Sequence, residues 1–128
     1  MAWGASAGQG LVKRWAARVS TAVTAAVTAV TDWVDVDEFN ELYAWLDVTA
    51  FAARADETLV VTIERQADNT AGYTTLATFT TINSTGAASE EKTVTSLLGG
   101  KVRARIVTAG TWSSKSITFS VKLMAKSA

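Results

Sequence analysis

Apolar residues recur with a period of two in four separate stretches of this chain, and that periodicity constrains the fold more than any other feature. Leu59, Val61 and Ile63 are interleaved with Val60, Thr62 and Glu64, and Leu42, Ala44, Leu46 and Val48 with Tyr43, Trp45, Asp47 and Thr49. Val102, Ala104 and Ile106 alternate with Lys101, Arg103 and Arg105, and Ile117, Phe119, Val121 and Leu123 with Ser116, Thr118, Ser120 and Lys122. Successive side chains of a strand point to opposite sides, so each stretch predicts a β-strand with one buried face. Asp68, Asn69 and Gly72 mark a turn inside residues 58–80, which therefore read as a hairpin unit. Gly99–Gly100 and Ala109–Gly110 are further turn signals, the first read as a hairpin turn. Seven or eight one-sided strands joined by short turns predict an all-β antiparallel sandwich or jelly-roll-like barrel.

Residues 15–30 carry two competing patterns. Val19, Ala22, Val23, Ala26, Val27 and Val30 fall on a helical stripe, yet the segment is rich in Val and Thr, which favour strands. Two strands, around residues 15–21 and 27–36, are the expected outcome, with a helix over 15–30 as the alternative. Residues 1–10 are Gly/Ala-rich, lack periodicity and carry an isolated Trp3. The expected organisation is an extended N-terminal arm over residues 1–14 and one domain over 15–128.

Composition narrows the chemistry. The 128 residues include no Cys, no His and no Pro, and the formal net charge is zero. Without His or Cys, neither a serine-type triad nor a Cys–His pair can be built, and most transition-metal sites lose their ligands. The Ser113–Ser114–Lys115 run offers a formal Ser–Lys dyad, but neighbouring strand residues diverge. Asp32, Asp35, Asp37, Glu38 and Glu41 form an acidic cluster that begins like a calcium loop, yet Phe39 stands where a ligand belongs and the required glycine is missing. A solvated acidic turn is the expected role. Glu57 and Glu64 could supply glycosidase carboxylates only if brought to opposite sides of a cleft. Gly99–Gly100–Lys101 lacks the glycine spacing and following helix of a phosphate loop.

Lys101, Arg103, Arg105 and Lys122 with Tyr43 and Trp45 resemble the raw material of a nucleic-acid surface, but zero net charge argues against one. Trp33, Tyr43, Trp45, Tyr73 and Trp112 are also a pool for stacking on sugars, as in a carbohydrate-binding module, or for anchoring a protein interface. Lys13, Arg14 and Arg18 before the Val-rich stretch imitate a secretion signal. Thr21, Thr24 and Thr28 interrupt that stretch and no cleavage site follows, so cytosolic synthesis is expected, and no membrane partner.

The words LDVTAF (residues 46–51), TLVVTIERQ, YTTLATFTTI and GGKVRARIVTAGTWSSKSITFSVKLMAK, in that order, resemble small β-sandwich virion proteins of tailed bacteriophages over residues 36–126. The resemblance implies a non-enzymatic structural protein without metal or cofactor, decorating or cementing the capsid. It implies a homo-oligomer, often a trimer, that docks on the major capsid protein at the virion surface after synthesis in the host cytoplasm. Candidate interface residues are Trp3, Lys13 and Arg14 on the arm, Tyr43 and Trp45 on one strand face, and Arg103 and Arg105 on another. A carbohydrate-binding module, or a tail or head–tail joining protein of the same fold, is the alternative.

Overall fold

The structure, a computed structural model, describes residues 11–52, 56–67, 71–83 and 88–127. Within them the strands are β1 (Val12–Val23), β2 (Thr28–Val30), β3 (Val34–Asp35), β4 (Glu41–Ala52), β5 (Thr58–Gln66), β6 (Thr74–Thr78), β7 (Ile82–Asn83), β8 (Ala88–Val94), β9 (Lys101–Ala109) and β10 (Ser116–Lys126). All pairings are antiparallel and form two sheets. The β4 sheet has the order β1–β10–β4–β8; the β5 sheet has the order β2–β9–β5–β6, with β3 also on β9 and β7 also on β5. The all-β antiparallel sandwich expected from the alternation is the fold.

The period-two faces meet between the sheets. Leu42, Ala44, Leu46 and Val48 of β4 and Ile117, Phe119, Val121 and Leu123 of β10 are buried against Leu59, Val61 and Ile63 of β5 and Val102, Ala104 and Ile106 of β9. Val36, Phe79, Ile82, Leu97, Trp112 and Ala125 complete this core. Fully burying one such aliphatic side chain contributes about 1.5–3 kcal/mol, so the paired faces dominate stability.

Residues 15–30 are extended. β1 pairs with β10 along its length, with register shifts between Ala16 and Arg18 and between Arg18 and Thr21. The helical stripe is not a buried face: Val19 is 65% exposed and Val30 45%. The Ala-rich middle carries the chain from one sheet to the other. Thr108 pins that crossing, its hydroxyl donating to the Ala25 carbonyl (2.7 Å) and accepting from the Val27 N–H (2.9 Å).

β1 begins at Val12, inside the stretch expected to be the arm, so Lys13 and Arg14 are strand residues. Residues 1–10, with Trp3, lie outside the described residues. Gly99 and Gly100 do not close a hairpin. They lie on the connection from β8 in one sheet to β9 in the other, at φ 71° and 85°. Arg65 donates to the Gly99 and Leu98 carbonyls (2.7 and 2.9 Å), and the Asp37 carboxylate accepts from the Gly100 N–H (2.8 Å). The crossing is fixed by side chains from two other segments, which no local turn pattern encodes.

Candidate interaction faces

Each sheet has an outer face, and the two treat their charged residues differently. On the β5 sheet, β5 and β9 pair so that Glu64 lies opposite Arg103 and Thr62 opposite Arg105. The Glu64 carboxylate accepts from Arg103 Nε (2.9 Å) and Arg105 Nε (2.8 Å). Arg105 also donates to the Tyr73 hydroxyl (2.9 Å). The Arg103 guanidinium sits over the rings of Trp33 (4.2 Å) and Tyr73 (4.9 Å). Two cations and two rings thus cover one carboxylate, and Glu64 is only 3% exposed although it points away from the core. The hydrogen bond that Arg105 donates to Glu64 raises the pKa of Arg105. The candidate interface residues Arg103 and Arg105 are thus engaged in an internal network with Glu64.

On the β4 sheet, the residues opposite the core set point outward. Register aligns them in rows across the strands: Arg14, Met124, Tyr43 and Thr93 in one, and Ala16, Lys122, Trp45 and Glu91 in the next. Tyr43 and Trp45, two residues apart on β4, hold near-parallel rings with centroids 6.3 Å apart and planes 18° apart. A cleft of about 450 Å³ opens beside Trp45, lined by Asp47, Ser89, Glu91, Ser120 and Lys122 among others. A second of about 250 Å³ lies toward β1, between Arg14, Trp15, Ala16, Trp45 and Lys122. Ser120 points outward yet is 6% exposed, which places it deep among the residues lining the larger cleft.

The structure thus brings Arg14, Tyr43 and Trp45 onto one face and puts Arg103 and Arg105 on the opposite sheet. Lys13 points the other way from Arg14, and its ammonium donates to the Asp35 carbonyl (3.0 Å). Of the residues that complete the Tyr43/Trp45 face, Lys122 was legible as an outward-pointing cation, whereas Met124 and Glu91 were not singled out by the sequence. Nothing local in the sequence places β8 and β10 on either side of β4.

The remaining candidates fall into structural positions. Asp35 accepts from the Asp37 N–H (2.8 Å), and Asp37 in turn holds Gly100. Glu57 stands just before β5 and Glu64 seven residues further on, a distance of about 23 Å along one strand, beyond the reach of a glycosidase pair. Ser113 and Ser114 are exposed turn residues, Ser114 at φ 57°. Among the described residues no cluster of three or more acidic side chains is arranged to hold a metal ion.

Fold and faces together define an antiparallel β-sandwich with one face whose arginines are tied to Glu64 and one open aromatic face. No protein-family model and no curated protein sequence matches the chain. Solved structures of infectious bursal disease virus share this architecture. The structure of the infectious bursal disease virus Gt strain superposes with a TM-score of 0.61 at 14% identity, covering 95% of this chain and 34% of that one. The VP2 subviral particle of the same virus gives 0.58 at 14% identity, over 93% of this chain and 33% of that one. The Gx strain gives 0.57 at 15% identity, over 93% and 32%. At such identities the likeness establishes the fold, and the chain spans about one third of the length of these viral proteins.

Proposed function

We propose that this protein is a non-enzymatic structural component of a tailed-bacteriophage particle. In this reading it decorates or stabilises the capsid by associating with itself and docking on the major capsid protein. The observation that carries the proposal is the superposition of 93–95% of the chain on virus-particle structures. The phage-like words over residues 36–126 support the narrower assignment to tailed phages. The sandwich supplies the body, and the segment before it, with Trp3, supplies a contact to the shell. The protein is made in the host cytoplasm and resides on the capsid surface. Imaging of purified particles tests this directly: density fitting the sandwich on the outside of the shell is expected. Density confined to the tail or the head–tail joint, or absence of the protein from particles, refutes it.

The cleft beside Trp45 favours a second reading, binding of a saccharide. An indole ring flanked by three carboxylates, an ammonium and two hydroxyls matches the apolar face and the hydroxyl rim of a sugar. A glycan array read with wild type and Trp45→Ala separates the two readings. Binding that disappears in Trp45→Ala supports the saccharide.

A further inference from the structure

The outer face of the β4 sheet is sorted by charge. Its cations, Arg14 on β1 and Lys122 and Lys126 on β10, all lie on one side; its anions, Glu41 and Asp47 on β4 and Glu91 on β8, all lie on the other. None of these six side chains forms an ion pair or a side-chain hydrogen bond among the described residues. Tyr43, Trp45 and Met124 fill the seam between the two sides. The β5 sheet does the opposite, tying Arg103 and Arg105 to Glu64 within the chain.

We propose that this face docks on the same face of a second copy of the chain, the two sheets packing face to face about a two-fold axis that runs along the strands. The proposal rests on the self-association in the function proposed above and names its surface and symmetry. Two faces that oppose each other through a two-fold must have the axis in the plane between them. An axis across the strands would lay β1 on β1 and β8 on β8, facing cations with cations. An axis along the strands lays β10 on β4 and β1 on β8. Lys126 then faces Glu41 of the second copy, and reciprocally, because the two residues already share a row. Lys122 faces Trp45, its partner in register, as a cation over an aromatic ring. Arg14 approaches Glu91, one row away. The usual crossing of about 30° between packed sheets keeps these partners within a row or its neighbour.

Size sets the strength. Four strands about 4.8 Å apart and about seven residues of about 3.3 Å each give a face of roughly 20 by 25 Å, near 500 Å² per copy. The total of about 1,000 Å² is the lower bound for a specific interface, so the dimer is weak and reversible. Its polar contacts are exposed ion pairs, so it is also salt-sensitive.

Sedimentation equilibrium tests this with two triple variants. One is acidic across the face (Arg14→Glu, Lys122→Glu, Lys126→Glu); the other is basic (Glu41→Lys, Asp47→Lys, Glu91→Lys). Wild type is expected to dimerise at about 50 mM salt and to weaken about tenfold at about 500 mM. Each variant alone should be monomeric where wild type is dimeric, and an equimolar mixture should restore a one-to-one dimer. Should a triple variant fail to fold by circular dichroism, the exchange Lys126→Glu with Glu41→Lys replaces it. The exchange should dimerise like wild type while each single substitution weakens association. A monomeric wild type at low salt overturns the proposal, as do variants that self-associate like wild type or folded partners that ignore each other. A monomeric protein whose face binds a saccharide or a different virion protein also overturns it. Face variants that still enter particles while failing to dimerise leave the virion reading standing, whereas dimers formed by a protein absent from particles defeat only that reading.

Discussion

Replacing Glu64 by Gln removes the charge that two arginines share while keeping the shape of the side chain. The carboxylate accepts two hydrogen bonds of 2.9 and 2.8 Å and is 3% exposed. Hydrogen bonds to charged groups are each worth about 1.5–3 kcal/mol. Glutamine retains one acceptor oxygen but turns an NH₂ group toward a guanidinium, so one of the two bonds is lost outright. Both guanidinium groups keep partial access to water, at 14% and 27% side-chain exposure, which favours the low end of the range. The expected cost of Glu64→Gln is therefore about 2 kcal/mol. At about 4 °C per kcal/mol for a domain of this size, the melting temperature falls by about 8 °C. Urea titration followed by tryptophan fluorescence gives the equilibrium value, with Trp33 reporting locally because it lies on Arg103. A double-mutant cycle with Arg103→Gln should show a coupling of about 1 kcal/mol. A cost below about 0.5 kcal/mol with no coupling would refute the closed network. Arg103 and Arg105 would then be solvated and free to meet a partner.

Two glycines respond oppositely to the same substitution. Gly110 sits at φ 104°, and a Cβ there would lie 2.2 Å from the Asp56 carbonyl oxygen and 2.9 Å from Glu57 Cα, so Gly110→Ala should cost about 3 kcal/mol or more in denaturant titration. Gly72 has open space around its Cβ position and no left-handed φ, so Gly72→Ala should gain about 0.4–1 kcal/mol. A third prediction concerns acid. Burial pushes the Glu90 pKa up, but hydrogen bonds from the Thr80 N–H, Lys92 and the Thr80 hydroxyl outweigh it and leave the pKa below the ordinary glutamate value. Stability from that shift is complete above the unfolded value of about 4.3 and is lost as pH falls through the lower folded value. Glu90→Gln should thus be less stable than wild type near neutrality and converge on it in acid; a gap independent of pH contradicts the assignment.

The strands and the core were legible because period-two alternation is local. Leu59, Val61 and Ile63 need only their own neighbours to declare a buried face. Residues 15–30 were ambiguous because a helical stripe of Val and Ala competed with the strand preference of Val and Thr, and pairing with β10, about a hundred residues away, decides between them. Glu64 illustrates a different limit. Its position on the outer face was evident, but its burial comes from Arg103, Arg105, Trp33 and Tyr73, contributed by three separate stretches of chain. The same holds for the charge sorting on the β4 sheet. Arg14, Lys122 and Glu91 belong to β1, β10 and β8, and only the order β1–β10–β4–β8 sets their sides.

Zero net charge describes the whole molecule but not what a partner meets at the β4 sheet. Across that face β1 and β8 are three strand spacings apart, about 14 Å, while the Debye length at physiological ionic strength is about 8 Å. The outer charges, Arg14 and Glu91, are therefore felt separately at contact range, while Lys122 and Lys126 lie one strand spacing from Glu41 and Asp47. An extended polyanion drawn to Arg14 and Lys122 would reach Glu41, Asp47 and Glu91 within one or two strand spacings and be repelled there. Such a polyanion gains from one half of the face and loses at the other. The partner that gains from both halves carries the same division in mirror order across its strands. A second copy, turned over about an axis along those strands, presents that order without any further change in sequence.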